Sequence, residues 1–205
     1  MRMNDHCVKL CLFTILAVGS LTACGSAVQD GSVISVSKDG TVSDTIRESF
    51  EEDYYSQQEL QDEILKAVAS YNAQNGNDAI SVSKVLVEDG CTDVEMKYQS
   101  AKDYKDFNGE IFFVGTPAEA RLEGFDLNKV FTSVSDSSET MGMAELFNTE
   151  GVLVLITDTD QTVNLEQKIL YISDEIEMLD KSKTFRLKKD ENDEVSGEAC
   201  VIFKE

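Results

Sequence analysis

The pattern Ser-x-x-Lys, in which a lysine can activate a serine as a nucleophile, occurs twice in the chain. Ser35 precedes Lys38 in one copy, and Ser81 precedes Lys84 in the other. The chemistry needs the serine at the start of a helix, so that the lysine one turn later reaches its hydroxyl. Both copies instead alternate apolar and polar residues, which is typical of a strand. A strand places residues three apart on opposite faces, so we assign no catalysis to either copy.

Acidic side chains offer calcium ligands at two places. Asp158 and Asp160 begin a segment that resembles an EF-hand loop, which needs glycine at its sixth position and glutamate at its twelfth. Val163 and Ile169 stand at those positions, and the tract 190–194 lacks the pattern as well. Carboxylate pairs of the glycosidase kind arise by chance in a chain with 39 acidic residues. We interpret both segments as polar turns and predict no metal site, no cofactor and no catalytic residue.

The start of the chain follows the order of an export signal. Arg2 and Lys9 precede an uncharged apolar run at 10–19, which is shorter than the roughly 20 residues that span a bilayer. Leu-Thr-Ala-Cys at 21–24 follows directly and resembles the lipobox of bacterial lipoproteins. The resemblance implies that the Cys24 thiol receives a diacylglycerol and that a peptidase cleaves before Cys24. An ordinary signal peptide with a chance cysteine, or a buried strand, are the alternatives.

The lipobox predicts that the chain has three parts. It also predicts that the protein lies on the outer face of a cell membrane, attached through the lipid. We expect a signal peptide at 1–23, a lipidated cysteine with a short linker at 24–31, and one extracytoplasmic domain at 32–205. The net charge of −21 argues against nucleic acid as a partner, because phosphate contacts need positive charge. Anionic head groups would repel the domain for the same reason, so the diacylglycerol must supply the attachment.

Cleavage before Cys24 would remove His6, the only histidine in the chain. The mature protein would then lack the base of Ser-His and Cys-His catalysis and the ligand of most catalytic zinc sites. It would keep two cysteines besides Cys24, namely Cys91 and Cys200. A disulfide between them would close a loop of about 110 residues, worth ~4–5 kcal/mol in the chain-entropy model. Two separate thiols, each a small apolar filler, are the alternative.

Two further groups of side chains have a functional and a structural interpretation. The basic cluster could dock an acidic partner, but a solvated strand face is the default interpretation. The tyrosines could line a ligand groove, but their periodicity favours the core or its edge. The basic residues are Lys181, Lys183, Arg186, Lys188 and Lys189, and the tyrosines are Tyr54, Tyr55, Tyr71, Tyr98 and Tyr104.

Apolar periodicity predicts the elements that position these groups. The pattern indicates an α+β fold: a mostly antiparallel sheet, one long amphipathic helix at about 56–75 and several short helices. Ser56 and Glu59 form a capping box for the long helix, and Ser100 and Thr116 begin shorter ones. One face of the long helix carries Leu60, Ile64, Val68 and Tyr71. We expect strands near 33–36, 41–46, 80–87, 94–98, 111–114, 152–156, 163–165, 168–172, 184–187 and 199–203.

Two segments are predicted as loops. The stretch 132–140 is rich in serine, and 190–197 is expected to be a charged hairpin loop between the last two strands.

Several stretches resemble cell-envelope lipoproteins of unknown role from Gram-positive, Clostridia-like bacteria. They include "ISVSKDGTVSDTIRESFEEDYY", "AVASYNAQNG", "KDYKDFNGEIFFVGTPAEA" and "KILYISD", and the likeness covers most of the chain after the lipobox. It implies an envelope location and carries over no activity. We therefore lean against an enzyme and expect a non-catalytic module that binds a protein, peptide or small solute. The alternative is a histidine-free hydrolase that acts on wall polymers or glycans through carboxylates.

Overall fold

The computed structural model describes residues 31–49, 56–76, 78–88, 90–190, 194–195 and 197–204. The predicted signal peptide, Cys24, nearly all of the linker, Tyr54 and Tyr55 lie outside the described residues.

Thirteen strands are described, and they form two sheets. In chain order they are β1 (Val33–Val36), β2 (Val42–Ser49), β3 (Ile80–Glu88), β4 (Cys91–Tyr98), β5 (Phe112–Gly115), β6 (Phe131–Ser133), β7 (Thr140–Met141), β8 (Val152–Thr157), β9 (Thr162–Leu165), β10 (Ile169–Ile172), β11 (Ile176–Met178), β12 (Thr184–Leu187) and β13 (Ala199–Lys204). The first sheet has the order β11-β12-β9-β1-β2-β4-β3, and the second has the order β5-β8-β13-β10-β6-β7. All these neighbours are antiparallel except β1 and β9.

Four helices are described: α1 (Gln57–Asn75), α2 (Ala101–Asn108), α3 (Pro117–Leu122) and α4 (Met143–Asn148). None of them is long and apolar enough to cross a membrane. The predicted capping box of α1 is confirmed, with Ser56 accepting from the Glu59 N–H and the Glu59 side chain accepting from the Ser56 N–H. Thr116 caps α3 in the same way, with Pro117 in its first turn.

The core has two parts because the second sheet is covered on both faces. The larger part lies between the sheets, and β13 contributes Val201 and Phe203 to it. The smaller part lies on the other face of β13, where Ile202 packs with Ala120 of α3 and Leu146 of α4. The alternation along β13 thus sends successive side chains into different cores.

The mixed α/β architecture, mostly sheet and largely antiparallel, agrees with the prediction in outline. The strands, however, form two sheets instead of one, because a sheet of this many strands rarely stays single. The segment 190–197 was predicted to be a hairpin loop between the last two strands. An antiparallel bridge between Lys189 and Val195 and a hydrogen bond from the Asp190 N–H to the Glu194 carbonyl at 2.8 Å confirm a tight turn, but the segment does not join two paired strands. It leads from β12 in the first sheet to β13 in the second. The predicted loop 132–140 also contains most of β6 and the start of β7.

The amphipathic character predicted for the long helix is not confirmed. Of its described residues only Ile64 and Val68 are buried, while Leu65 is 44% exposed. The helix packs against β3, the edge strand of the first sheet, and a contact with one edge strand needs few apolar residues.

Candidate functional site

Strand β2 carries a carboxyl group where its alternation calls for an apolar side chain. Val42 and Ile46 belong to the core between the sheets, and Asp44 lies on the same face of the strand. Across the first sheet Asp44 pairs with Ile34 of β1 and with Met96 of β4, both buried. Asp44 itself is 2% exposed. A carboxyl group therefore occupies an apolar position of the core.

Hydrogen bonds satisfy the polar groups near Asp44 but leave one of its own oxygens without a partner. The Tyr104 hydroxyl donates to Glu110 Oε2 at 3.0 Å, and Asn108 Nδ2 donates to the Tyr98 hydroxyl at 3.3 Å. Asp44 Oδ1 is buried and accepts no hydrogen bond from any described residue. Such an atom costs free energy, and the cost is much larger when the carboxyl is ionised.

Further acidic side chains come from β2 itself and from the segments before β5 and after β8. Glu48 lies on β2, two residues beyond Ile46, so its side chain is on the same face of the strand. Glu110 precedes β5, and Asp158 and Asp160 follow β8. The Ile111 N–H donates to Asp158 Oδ1 at 2.9 Å, which ties the start of β5 to the end of β8. We call the set Asp44, Glu48, Glu110, Asp158 and Asp160 the acidic cluster.

Burial and the repulsion of nearby charges raise the pKa values of three members of the acidic cluster, Asp44, Glu48 and Glu110. Burial raises the pKa of Asp44 to about 7, and the charges of Glu110 and Glu48 add to this shift. Burial also raises the pKa of Glu110; a hydrogen bond from Tyr104 opposes that shift, and the two aspartates after β8 add to it. Burial and the charge of Asp160 raise the pKa of Glu48. Carboxyl groups with such perturbed pKa values often mark functional sites.

The acidic cluster can hold a proton, but its buried carboxyl, that of Asp44, is not accessible to large substrates. A glycosidase places two carboxyl groups on either side of the bound sugar, ~5–9 Å apart, and a polymer must reach both. Asp44 is too deeply buried for that, so it lends no support to the hydrolase alternative. Among the residues that the structure describes, no three histidine, cysteine, aspartate or glutamate side chains are placed to hold a metal ion.

The Ser-x-x-Lys copies are only partly as predicted: Lys38 lies in the turn after β1. In β3 a register shift between Val82 and Lys84 pairs Ser81 with Lys97 and Lys84 with Glu95, so these two side chains share a face of the strand and the predicted opposite faces are wrong for this copy. Ser35 lies within β1, and Ser81 and Lys84 lie within β3. Lys84 Nζ forms an ion pair with Asp93 of β4 and does not activate a serine.

The described tyrosines belong to the core or its edge, in line with the structural interpretation. Tyr98 and Tyr104 are fully buried, with ring centroids 5.1 Å apart in an edge-to-face arrangement. Tyr71 is half-buried and packs against the same core. Its hydroxyl donates to Asp103 Oδ1 at 3.1 Å. These side chains are part of the packing around the acidic cluster and do not line a groove.

The predicted basic cluster is partly neutralised within the fold. Arg186 forms an ion pair of 2.9 Å with Glu177 on the neighbouring strand, and Lys188 Nζ donates to the Asp174 carbonyl at 2.6 Å. Lys181 instead lines a small open depression of about 200 Å³ in the second sheet's surface. Its other lining residues are Ser133, Val134, Ser135, Glu139, Lys168, Ile169, Leu170 and Tyr171.

Cys91 and Cys200 lie on strands of different sheets, and the structure has no disulfide between them. Cys91 begins β4 and is half-buried, whereas Cys200 lies on β13 with its side chain in the smaller core. That face of β13 points away from the first sheet. This placement favours two separate thiols over a disulfide between Cys91 and Cys200.

Sequence reasoning missed Asp44 and Glu110 as a pair. The available signal was the run Val42-Ser43-Asp44-Thr45-Ile46, in which Asp44 falls in phase with two apolar residues. Glu110 has no comparable signal, because it lies just before β5 and reaches the acidic cluster only through the packing of the two sheets.

The fold and the acidic cluster define a mixed α/β protein of two sheets with a buried carboxyl group, that of Asp44, in the core between them. Comparison of the chain with protein-family models, with curated proteins and with solved structures finds no match.

Proposed function

We propose that the protein is a lipoprotein on the outer face of a cell membrane, and that its domain binds a protein, peptide or small solute without catalysis. The observation that carries the anchor is the Leu-Thr-Ala-Cys box at 21–24, placed directly after an uncharged apolar run. A diacylglycerol supplies two acyl chains, at ~0.8 kcal/mol per buried methylene, which is enough for stable attachment.

Two observations support a non-catalytic role. The only histidine is His6, which lies in the segment that the peptidase would remove. The carboxyl whose pKa is raised to about 7, Asp44, is 2% exposed and out of reach of a polymer. Proton transfer near neutral pH is most often performed by histidine, so both features lower the case for a hydrolase.

The amphipathic character of α1 is part of the same proposal. Leu60 and Tyr71 are partly buried against the core beside Ile64 and Val68, in the spacing that one face of a helix requires. The remaining surface of α1 is mostly polar, apart from the exposed Leu65, and would face solvent or a binding partner.

The anchor is tested by Cys24→Ala in the full chain, expressed in a bacterium that processes lipoproteins. We expect the parent protein to partition into detergent and to show the mass of residues 24–205 plus lipid. The variant should lose the lipid and leave the membrane fraction, because no other residue offers the modified thiol in a lipobox. Cys11→Ala, which removes a thiol from the apolar run, is the matched control and should behave as the parent.

Retention of lipid and membrane partition by Cys24→Ala would contradict the anchor. The binding role is tested on the same purified lipoprotein by native mass spectrometry, where we expect a co-purifying molecule of defined mass. Hydrolysis of wall polymer by the purified protein would instead favour the carboxylate hydrolase.

A further inference from the structure

Asp44 interrupts a row of apolar side chains that runs across the first sheet. The pairings β9–β1, β1–β2, β2–β4 and β4–β3 align one residue from each strand. The other four members of the row are Val163, Ile34, Met96 and Val82. The row faces the second sheet, so the carboxyl of Asp44 lies in the core between the two sheets.

Among the residues that the structure describes, the groups that face Asp44 offer it no positive charge. Glu48 approaches from β2 itself, Tyr98 from β4, Tyr104 from α2 and Glu110 from the segment before β5. Asp158 and Asp160, after β8, act on this set through Glu110 and Glu48. On β1 and β9 the residues in the same row are apolar. An ionised Asp44 would therefore stand in an apolar layer among other acids, with Oδ1 lacking any described donor.

We propose that Asp44 makes the contact between the two sheets responsive to protons: the closed arrangement holds Asp44 neutral, and ionisation of Asp44 loosens the contact. The neutral acid removes the charge from the apolar layer and from the repulsion with Glu48 and Glu110. The ionised acid can be accommodated only by admitting water or by separating the sheets at this row. This device is independent of the lipid anchor and of the proposed binding role.

The direction of the pH effect follows from proton linkage. An aspartate in an unfolded chain has a pKa of about 4, and in the folded protein that of Asp44 is raised to about 7. Between these values the folded state retains a proton that the unfolded or opened state releases. The closed arrangement is therefore favoured at low pH, loses stability as the pH rises from about 4 to about 7, and changes no further above that. Three pH units correspond to about a thousandfold change in the opening equilibrium.

Hydrogen exchange on the purified full chain, measured by mass spectrometry, tests this proposal. Exchange is followed from pH 4 to pH 8 and corrected for the intrinsic pH dependence of amide exchange. Peptides from β2 should open progressively more between pH 4 and 7 than peptides from β13, at the centre of the second sheet.

Asp44→Asn keeps the size of the side chain and removes the ionisation. The variant should lose the extra pH dependence of β2, so that the ratio of parent to variant opening rises by up to about a thousandfold across the window. Asp62→Asn, which neutralises an exposed carboxyl on α1, is the matched control and should follow the parent. Comparing Asp44→Asn with Asp62→Asn separates the effect of Asp44 from the effects of the other carboxyl groups.

Equal pH dependence of β2 in the parent and in Asp44→Asn would overturn the proposal. If Asp44→Asn does not fold, the parent protein alone tests the proposal. A constant ratio of β2 to β13 exchange in the parent from pH 4 to 7 would refute the proposal.

Discussion

At the scale of single residues, burial gives two side chains unusual chemistry. Asp44 is an acid enclosed among apolar groups, and Cys200 is a thiol 3% exposed in the smaller core. Burial raises the pKa of the Cys200 thiol to about 12. The thiolate is the nucleophilic form of cysteine, so Cys200 is inert while the domain stays folded.

Alkylation tests the state of Cys200. We expect iodoacetamide at pH 8 to leave Cys200 unmodified in the native, unreduced protein and to modify it after denaturation without reductant. Peptide mass mapping locates the label, and Cys91→Ser is the control, in which Cys200 should behave in the same way. If Cys200 became reactive only after reduction, a disulfide would be present and the structural placement of the two thiols would be wrong.

At the scale of elements, α1 protects an exposed sheet edge. Its Asn72 side chain accepts from the Ile80 N–H at 2.9 Å and donates to the Ile80 carbonyl at 2.8 Å. At the other end of β3 the Gln57 side chain donates to the Val85 carbonyl at 3.2 Å. The amides thus take the place of a further strand, which is one way to prevent edge-to-edge association.

Asn72→Ala should lower the free energy of unfolding by about 1–3 kcal/mol, because two backbone groups at Ile80 lose their partners. Urea denaturation followed by circular dichroism measures the change. Gln58→Ala is the matched control, since Gln58 bonds only to Asp62 on the exposed side of α1; its effect should be near zero. Equal loss in both variants would show that helix propensity, and not the edge contact, sets the stability of this region.

The elements were largely predictable because their signals are local. The capping boxes at Ser56 and Thr116 depend on residues three apart, and the longer strands show their own alternation. Strands β6, β7 and β11 were missed because each has three residues or fewer, too short to show a period. Their pairing partners, not their own sequence, make them strands.

At the scale of the whole molecule, the main feature is an excess of negative charge. The chain carries 39 acidic residues against 18 basic ones, and the acidic cluster brings several of them together. Repulsion among like charges destabilises a compact state, and salt screens it, since the Debye length falls from ~10 Å at 0.1 M to ~3 Å at 1 M.

Raising sodium chloride from 0.05 to 0.5 M at neutral pH should therefore raise the melting temperature, by about 2–4 °C for each 1 kcal/mol of relieved repulsion. Differential scanning calorimetry measures the shift. Near pH 4.3, the isoelectric point of the sequence, the same addition should have little effect. A fall in melting temperature with salt at neutral pH would show that attractive ion pairs, such as that between Lys129 and Glu175, outweigh the repulsion.

The sequence by itself determined the acidic balance and most of the helix and strand positions, because each depends on composition or on neighbours a few residues apart. The proposed lipobox at Cys24, with the loss of His6 that cleavage there would cause, is a local signal of the same kind. Only the tertiary structure decided that the strands divide into two sheets, that Cys200 faces away from the sheet of Cys91, and that Glu110 meets Asp44. Those relations join residues far apart in the chain, and they are set by which apolar faces pack together. The environment of Asp44, and hence its affinity for a proton, comes from that packing.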